Sequence, residues 1–267
     1  MSLSYNRFLL QQMVMRNIQA RFRNSFLGWL WSFLLPLLML SVYTIVFGNF
    51  FKSRWGIDIG ENKMVYAVAL FSGITFYNIF GESVSVASGC ISGNVNYVKK
   101  VRFPLEFLPL SQVLSTFVLT IPWLILLFGC IIGVFHQANW SWLLLPFALL
   151  PLLLFSAGVA LFVASLGVFF RDIQYLIGVL LQMFFFLSPI FYRLDNVPEQ
   201  YRGLMAFNPM VWFIELNRRL LFYGVLPDYS TLPGGIEWLV SWGWGIFVFL
   251  LGTVWFVKTR KGFGDVL

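Results

Sequence analysis

Long apolar runs, separated by short polar or basic intervals, dominate the chain. Six of them have the length and pattern of membrane-crossing helices, at about 27–51, 64–87, 107–135, 143–168, 173–191 and 238–257. About 20 mostly apolar residues cover a hydrocarbon core about 30 Å thick. Ahead of the first run, Leu10, Val14, Ile18 and Phe22 recur at every fourth position, with Gln12, Arg16, Gln19 and Arg23 on roughly the opposite face. This spacing predicts an amphipathic helix within residues 1–25 that lies in the membrane interface; the alternative is a solvated basic leader. No unbroken apolar stretch with a small-residue cleavage site precedes it, so it does not read as a secretory signal.

Two of the polar intervals carry their own patterns. The segment 192–236 is the longest, and "VPEQYRGLMAF" within it fits a short helix after Pro198. "NPMVWFIELNRRLLFYG" fits a second, with Asn208 as N-cap, Pro209 at the first helical position and Gly224 past the end. Glu215 is spaced to pair with Arg218 and Arg219. About fifteen residues make a helix about 22 Å long, too short and too charged to cross comfortably. Yet Met210, Val211, Trp212 and Phe213 are too apolar for open solvent. Two re-entrant helices satisfy both constraints; a folded external cap is the alternative.

The other interval is "NVNYVKKVRFPLEFLPL", residues 94–110, between the second and third runs. Asn94 to Val101 allow about two helical turns, and Pro104 prevents continuation. A short basic helix parallel to the membrane, bearing Tyr97, is a suitable handle for a soluble partner. The plainer reading makes Lys99, Lys100 and Arg102 simple charge anchors. Between the fourth and fifth runs, "FFRDIQ" places Arg171 and Asp172 in a tight hairpin.

Composition narrows the class. Hydrophobic residues make up 59% of the 267 and charged residues 11%, against about 25% charged in soluble domains. Six crossings and their loops use nearly the whole length, so residues 1–267 are read as one all-α integral membrane domain. With the N-terminus inside, the inner segments hold eleven Lys and Arg against three acidic residues, and the outer segments seven against seven. That asymmetry predicts that both termini face the cytosol. The net charge of +7 therefore reflects topology, and no nucleic-acid partner is expected.

Candidate chemistry is sparse. His136 stands in the short loop "FHQANWSW" without a carboxylate at catalytic spacing, and reads as an interfacial residue beside Trp140 and Trp142 in an aromatic belt. Cys90 and Cys130 fall at opposite ends of their spans, too far apart for a disulfide, and with one histidine the chain has too few ligands for a metal site. No phosphate-binding G-x-x-x-x-G-K-[ST] loop occurs, so any nucleotide is expected on another chain, with no cofactor on this one. Glu82 and Gln182 are intramembrane polar positions; a carboxylate there is costly and needs water or a partner. Gly129 and Gly133, and Ser156, Ala160 and Ala164, match small-residue packing seams.

Five stretches carry a family resemblance: "RFRNSFLGWLWSFLLPLLMLSVYTIVFG" (21–48), "VKKVRFPLEFLPLSQV" (98–113), "FFRDIQYLIGVLLQMFFFLSPIFY" (169–192), "VPEQYRGLMAFNPM" (197–210) and the terminal "KGFGDVL". Together they resemble the membrane subunit of ABC exporters for polysaccharide and polyol phosphate, most of all those for O-antigen, from about residue 5 to the end. The block 169–210 is the most specific, and "RFPLE" (102–106) is a variable stretch.

The resemblance implies a permease in a bacterial inner membrane, with a second copy of itself and two copies of a nucleotide-binding ATPase subunit that holds ATP and Mg²⁺. Its cargo would be an undecaprenyl-linked polysaccharide. Residues 94–103 would be the coupling helix, through Asn94, Asn96, Tyr97, Lys99, Lys100, Arg102 and Phe103. Arg16, Arg21 and Arg23 would lie on the interface helix beside it. Asn208, Pro209, Trp212, Glu215, Arg218 and Arg219 would belong to a periplasmic gate. Two copies would line one channel with the first and fifth spans, and aromatic rings, which stack on the apolar faces of sugars, point to Trp29, Tyr43, Phe47, Phe184, Phe191 and Tyr192. Two other functions remain open to the residues alone. One is an ABC exporter of a drug or small lipid; the other is a membrane glycosyl- or acyltransferase, which the missing acid/base constellation disfavours.

Overall fold

The computed structural model describes residues 3–23, 25–46, 63–99, 103–170, 172–226 and 229–267. Phe47, Lys100, Arg102 and Arg171 lie outside these. All regular elements among the described residues are helical. The amphipathic segment forms α1 (Leu3–Phe22). Its Leu10, Val14, Ile18 and Phe22 are partly covered while Gln12, Arg16, Gln19 and Arg23 are exposed, as the four-residue spacing requires. Gly28, in the left-handed region at φ 51°, turns the chain into α2 (Trp31–Tyr43).

The main body follows as α3 (Lys63–Ala87), the five-residue α4 (Val95–Lys99), α5 (Phe107–Phe135), α6 (Leu145–Phe169) and α7 (Ile173–Leu187). Two short helices, α8 (Glu199–Ala206) and α9 (Pro209–Leu221), precede the long α10 (Gly235–Thr259) and the terminal α11 (Phe263–Val266). Five helical stretches are long and apolar enough to cross a membrane: Gly28–Val46, Met64–Ala87, Phe107–Phe135, Trp140–Phe169 and Gly235–Val266. The fifth predicted run forms a shorter apolar helix, Ile173–Leu187, because the chain turns at Ser188 and Pro189 and no longer continues the helix to 191.

Helix α3 is the axis of the bundle. It packs on α5 and α6, and its apolar residues from Val65 to Phe80 are almost wholly covered. Much of the aromatic mass is spent inside this core: Phe71 stacks on Trp123 at 5.5 Å, and Phe80 touches both Phe155 and Phe184.

The most extensive helix pair is α6 with α10, and small residues explain why. A Cβ on Gly245 would come within 2.6 Å of the Pro151 carbonyl, and one on Gly252 within 2.1 Å of the Gly158 carbonyl. One turn pair further on, Ser165 and Thr259 share a 2.7 Å hydrogen bond. The contacts 151/245, 158/252 and 165/259 advance by the same seven-residue step on both helices, so α6 and α10 run parallel. Backbones this close gain dispersion and packing that lipid cannot replace.

The predicted seam at Gly129 and Gly133 is corrected: a Cβ at either position would meet nothing within 4 Å. Ser156, Ala160 and Ala164 are buried as expected, but the closest approach is made by Gly158, Gly245 and Gly252.

Candidate functional site

Two constellations of polar residues stand at opposite ends of α3. At the end nearest Ala87, α1 lies along α5 and is tied by three different contacts. Arg21 forms an ion pair with Glu82, both side chains partly exposed. Asn17 donates to the Ser111 hydroxyl at 3.0 Å. Arg16 donates to the Tyr97 hydroxyl at 2.9 Å, its guanidinium carbon 5.5 Å from the centre of that ring. Glu82 thus meets the requirement for a partner with an arginine from the preceding helix. Nothing in the helical periodicity of α3 points to that choice.

Tyr97 is the centre of this end. Its ring packs on Phe103 at 4.9 Å, and Phe103 in turn meets Phe107 edge-on. Asn94 donates to the Cys90 carbonyl, which steadies the 3-10 turn Ser92–Asn94 leading into α4, while Asn96 is exposed on α4. Lys99 donates to the Leu267 carbonyl at 2.5 Å, and Arg260 reaches Glu106 at 3.3 Å. Helix α4 is therefore held by α1 on one side and by Leu267 on the other, and Glu106 at the start of α5 by Arg260. Burial of Cys90 pushes its thiol up to about 12, so it is an inert core residue.

At the other end of α3, α9 is inserted among α3, α6 and α10. Asn208 caps it, its side chain accepting from the Met210 N–H at 2.9 Å and donating to the Leu187 carbonyl at 3.1 Å. Pro209 follows at the first helical position, so the predicted start is observed. Gly224 takes φ 65° just past the end. Trp212 donates to the Ala206 carbonyl and joins α9 to α8.

Arg218 is the unexpected member. Only 1% exposed, it donates to the carbonyls of Pro189 at 2.5 Å, Ala69 at 3.0 Å and Ile190 at 3.0 Å, and to the Ser72 hydroxyl at 3.2 Å. One guanidinium therefore joins α9, α3 and the turn that ends α7. Gly73 makes the room, since a Cβ there would lie 2.4 Å from Arg218 Nη2. Close by, Tyr66 donates to the Phe191 carbonyl at 2.8 Å.

Arg219 lies 3.5 Å from Glu215 and 3.4 Å from Glu237 at the start of α10. Burial raises the Glu215 carboxyl above the usual range, with Arg218 and Arg219 drawing it back. The i+3 and i+4 spacing from Glu215 anticipated the pairing with Arg219 but not the burial of Arg218. The one legible hint was an arginine inside an otherwise apolar helix.

The carbonyls at the end of α9 are satisfied from outside. Ser141 donates to Leu220 at 2.7 Å and Trp142 Nε1 to Leu221 at 3.0 Å, while Asn139 donates to the carbonyl of Tyr223. A helix end has orphan carbonyls that need such partners. Trp142 is consequently drawn inward onto Phe128, a correction to its place in an aromatic belt. Trp140 is 58% exposed, and His136 ends α5 in the left-handed region at φ 54°.

The predicted channel residues are spread out. Trp29 is exposed and edge-on to Phe33. Tyr43 and Phe184 are half-covered against the core. Phe191 packs on Phe185 and Phe186, and the Tyr192 hydroxyl meets Met205 Sδ at 3.8 Å. Gln182 is exposed on α7, in the same helical stretch as Val179, Leu180, Met183 and Phe186, each at least 46% exposed.

Helices long and apolar enough to cross a membrane define a multi-pass membrane protein. Residues 9–222 match the ABC-2 type transporter family, and the chain belongs to that family. It is a transport subunit and not an enzyme; ATP hydrolysis resides on a separate subunit. It is 34% identical over 231 residues to the O-antigen export system permease protein RfbA of Myxococcus xanthus, covering 85% of each chain. With the protein of the same name from Klebsiella pneumoniae it shares 27% over 269 residues, 100% of this chain and 97% of the other. The polysialic acid transport protein KpsM of Escherichia coli is 27% identical, over 83% of this chain and 84% of its own.

Proposed function

We propose that this chain is the permease subunit of an ATP-driven exporter that carries a lipid-linked polysaccharide, of the O-antigen kind, out of the cytosol across a bacterial inner membrane. The observation that carries the reading is the 34% identity to an O-antigen export permease over 85% of both chains. Residues 1–267 form one membrane domain that pairs with a second copy of itself and with two ATPase subunits, on which ATP and Mg²⁺ are bound. Residues 94–103 receive the ATPase stroke; the ties from Tyr97 to α1 and from Lys99 to the end of the chain support this, because they would transmit a push rather than absorb it.

The chain crosses six times with both termini cytosolic. Helix α1 and helix α11 both lie against the α4 end of the bundle, which supports an even number of passes. The short α7 counts as one of them in this reading. The segment 192–236, with α8 and α9 as re-entrant helices, gates the outer side. The exposed apolar and aromatic faces of α2 and α7 are available for the second copy and for the sugar polymer.

The test is genetic and chemical together. Deleting the gene should remove surface polysaccharide and leave undecaprenyl-linked glycan in the cytosolic leaflet, and the cloned chain should reverse both. An unchanged cell surface in the deletion strain overturns the reading.

A further inference from the structure

Helices α6 and α10 reach from one polar end of the bundle to the other. They are joined along their length, since a Cβ on Gly158, Gly245 or Gly252 would strike the facing backbone at 2.4, 2.6 or 2.1 Å. Two helices packed this closely cannot slide past each other without separating, so a push moves them as one body. At the α4 end the pair is capped by α11. Phe263, wholly buried, lies 5.8 Å ring to ring from Phe169, the last residue of α6, and 5.5 Å from Phe256 of α10. Cys90 and Ile91, ahead of α4, belong to the same apolar cluster as Phe263. Ser92 donates to the Gly167 carbonyl near the end of α6 at 3.0 Å, and Lys99 of α4 donates to the Leu267 carbonyl.

At their other end the same two helices hold α9. Ser141 and Trp142, in the turn that opens α6, donate to the Leu220 and Leu221 carbonyls. Glu237, in the first turn of α10, lies 3.4 Å from Arg219. Helix α9 therefore has two attachments of different kinds. Arg218 pins it to α3 and to the turn that ends α7, while residues 219–221 are fixed to α6 and α10. A displacement of the α6–α10 pair relative to α3 turns α9 about Arg218. We propose that α6 and α10 form one transmission element that carries a displacement of α4 to α9, with Phe263 the positioning residue at its α4 end and Glu237 at its α9 end. The proposal rests on the reading that α4 receives the ATPase stroke.

The experiment is a double-mutant cycle on the full-length chain with its ATPase subunit, in inverted membrane vesicles that carry undecaprenyl-linked glycan. The quantity read is glycan moved into the vesicle per ATP hydrolysed. Phe263→Ala and Glu237→Gln should each lower that ratio about tenfold, with the hydrolysis rate within about twofold of the parent's. Changes at sites this far apart, on the order of 30 Å along α10, ordinarily add in free energy, so their losses multiply. Two breaks in one route do not multiply. F263A/E237Q should therefore stay near the tenfold loss of either single variant instead of reaching about a hundredfold. If F263A does not accumulate, S92A removes only the hydrogen bond to Gly167 and runs the same cycle from a loss of about threefold.

Losses that multiply would mean that the two ends act independently. An unchanged ratio in the single variants would mean that neither end carries the stroke. A fall in hydrolysis in step with export would make Phe263 a part of the general fold; each of these three outcomes overturns the proposal. The parent complex keeps the two readings apart. If it moves glycan while the variants multiply their losses, only the transmission element is wrong; if it hydrolyses ATP and moves none, the export reading itself fails.

Discussion

The two ends of α3 use arginine in opposite ways. Near Ser72, Arg218 is fully enclosed and its partners include three carbonyls and a hydroxyl. Near Glu82, Arg21 and Arg16 are exposed and each has a single polar partner among the described residues. A buried guanidinium has lost its hydration and needs acceptors for its N–H donors, so its surroundings have essentially one arrangement. A half-exposed ion pair can part and be replaced by water at little cost, about 0.2–1 kcal/mol. The α9 end is therefore built as a fixed joint, and the α1–α4 end as a set of ties that can be remade. The proposed role of α4 in coupling fits that distribution, in which the α1–α4 contacts are cheap to remake and the clasp is not.

The comparison breaks most readily at the clasp. Arg218→Met should take the side-chain donor from the buried Pro189 and Ile190 carbonyls, at about 1–3 kcal/mol each, and should sharply lower the melting temperature or the yield of monodisperse protein in detergent. Gly73→Leu should act in the same direction by forcing the guanidinium out of its place. A normal melting temperature for Arg218→Met would mean that the clasp does not hold the fold.

A second, smaller loss is expected from Gly252→Val, which must push α10 away from the Gly158 backbone. Overpacking of this kind costs about 1–3 kcal/mol. Gly129→Val, with nothing within 4 Å, should be close to silent in the same thermal melt.

The ties at the α4 end should behave differently. Glu82→Gln should shift the melting temperature little, since the pair with Arg21 is partly exposed. Polysaccharide export should nevertheless fall relative to ATP hydrolysis in the assembled complex, and the charge-reversed pair R21E/E82R should recover part of it. A large thermal shift without loss of export would reverse the contrast. The smallest effect belongs to Tyr97→Phe, which removes the hydrogen bond from Arg16 but keeps the ring stacked on Phe103; export should drop by no more than a few-fold.

Much of this was legible beforehand. Asn208, Pro209 and Gly224 announced α9 through local rules of capping and backbone freedom, and those rules need no tertiary contact. The amphipathic α1 was legible for the same reason. The seam at Gly158, Gly245 and Gly252 was not, because many glycines in apolar helices fit a small-residue spacing and only the partner helix decides which of them is approached. Trp142 was misplaced for a related reason: an indole near a helix end suits a membrane interface, and equally the unpaired carbonyl at Leu221.

The sequence alone determined the class, the number and approximate limits of the apolar runs, and the positions of the caps, since these depend on hydropathy and on interactions between residues close in the chain. Tertiary structure decided which charges are spent and which are left over. Arg21, Arg23, Arg218 and Arg219 are alike as letters, yet one meets Glu82, one has no partner among the described residues, one is enclosed by carbonyls and one lies between two carboxylates. Those outcomes depend on elements separated by up to about 150 residues in the chain, as for Arg218 and Ala69, and no local pattern records them.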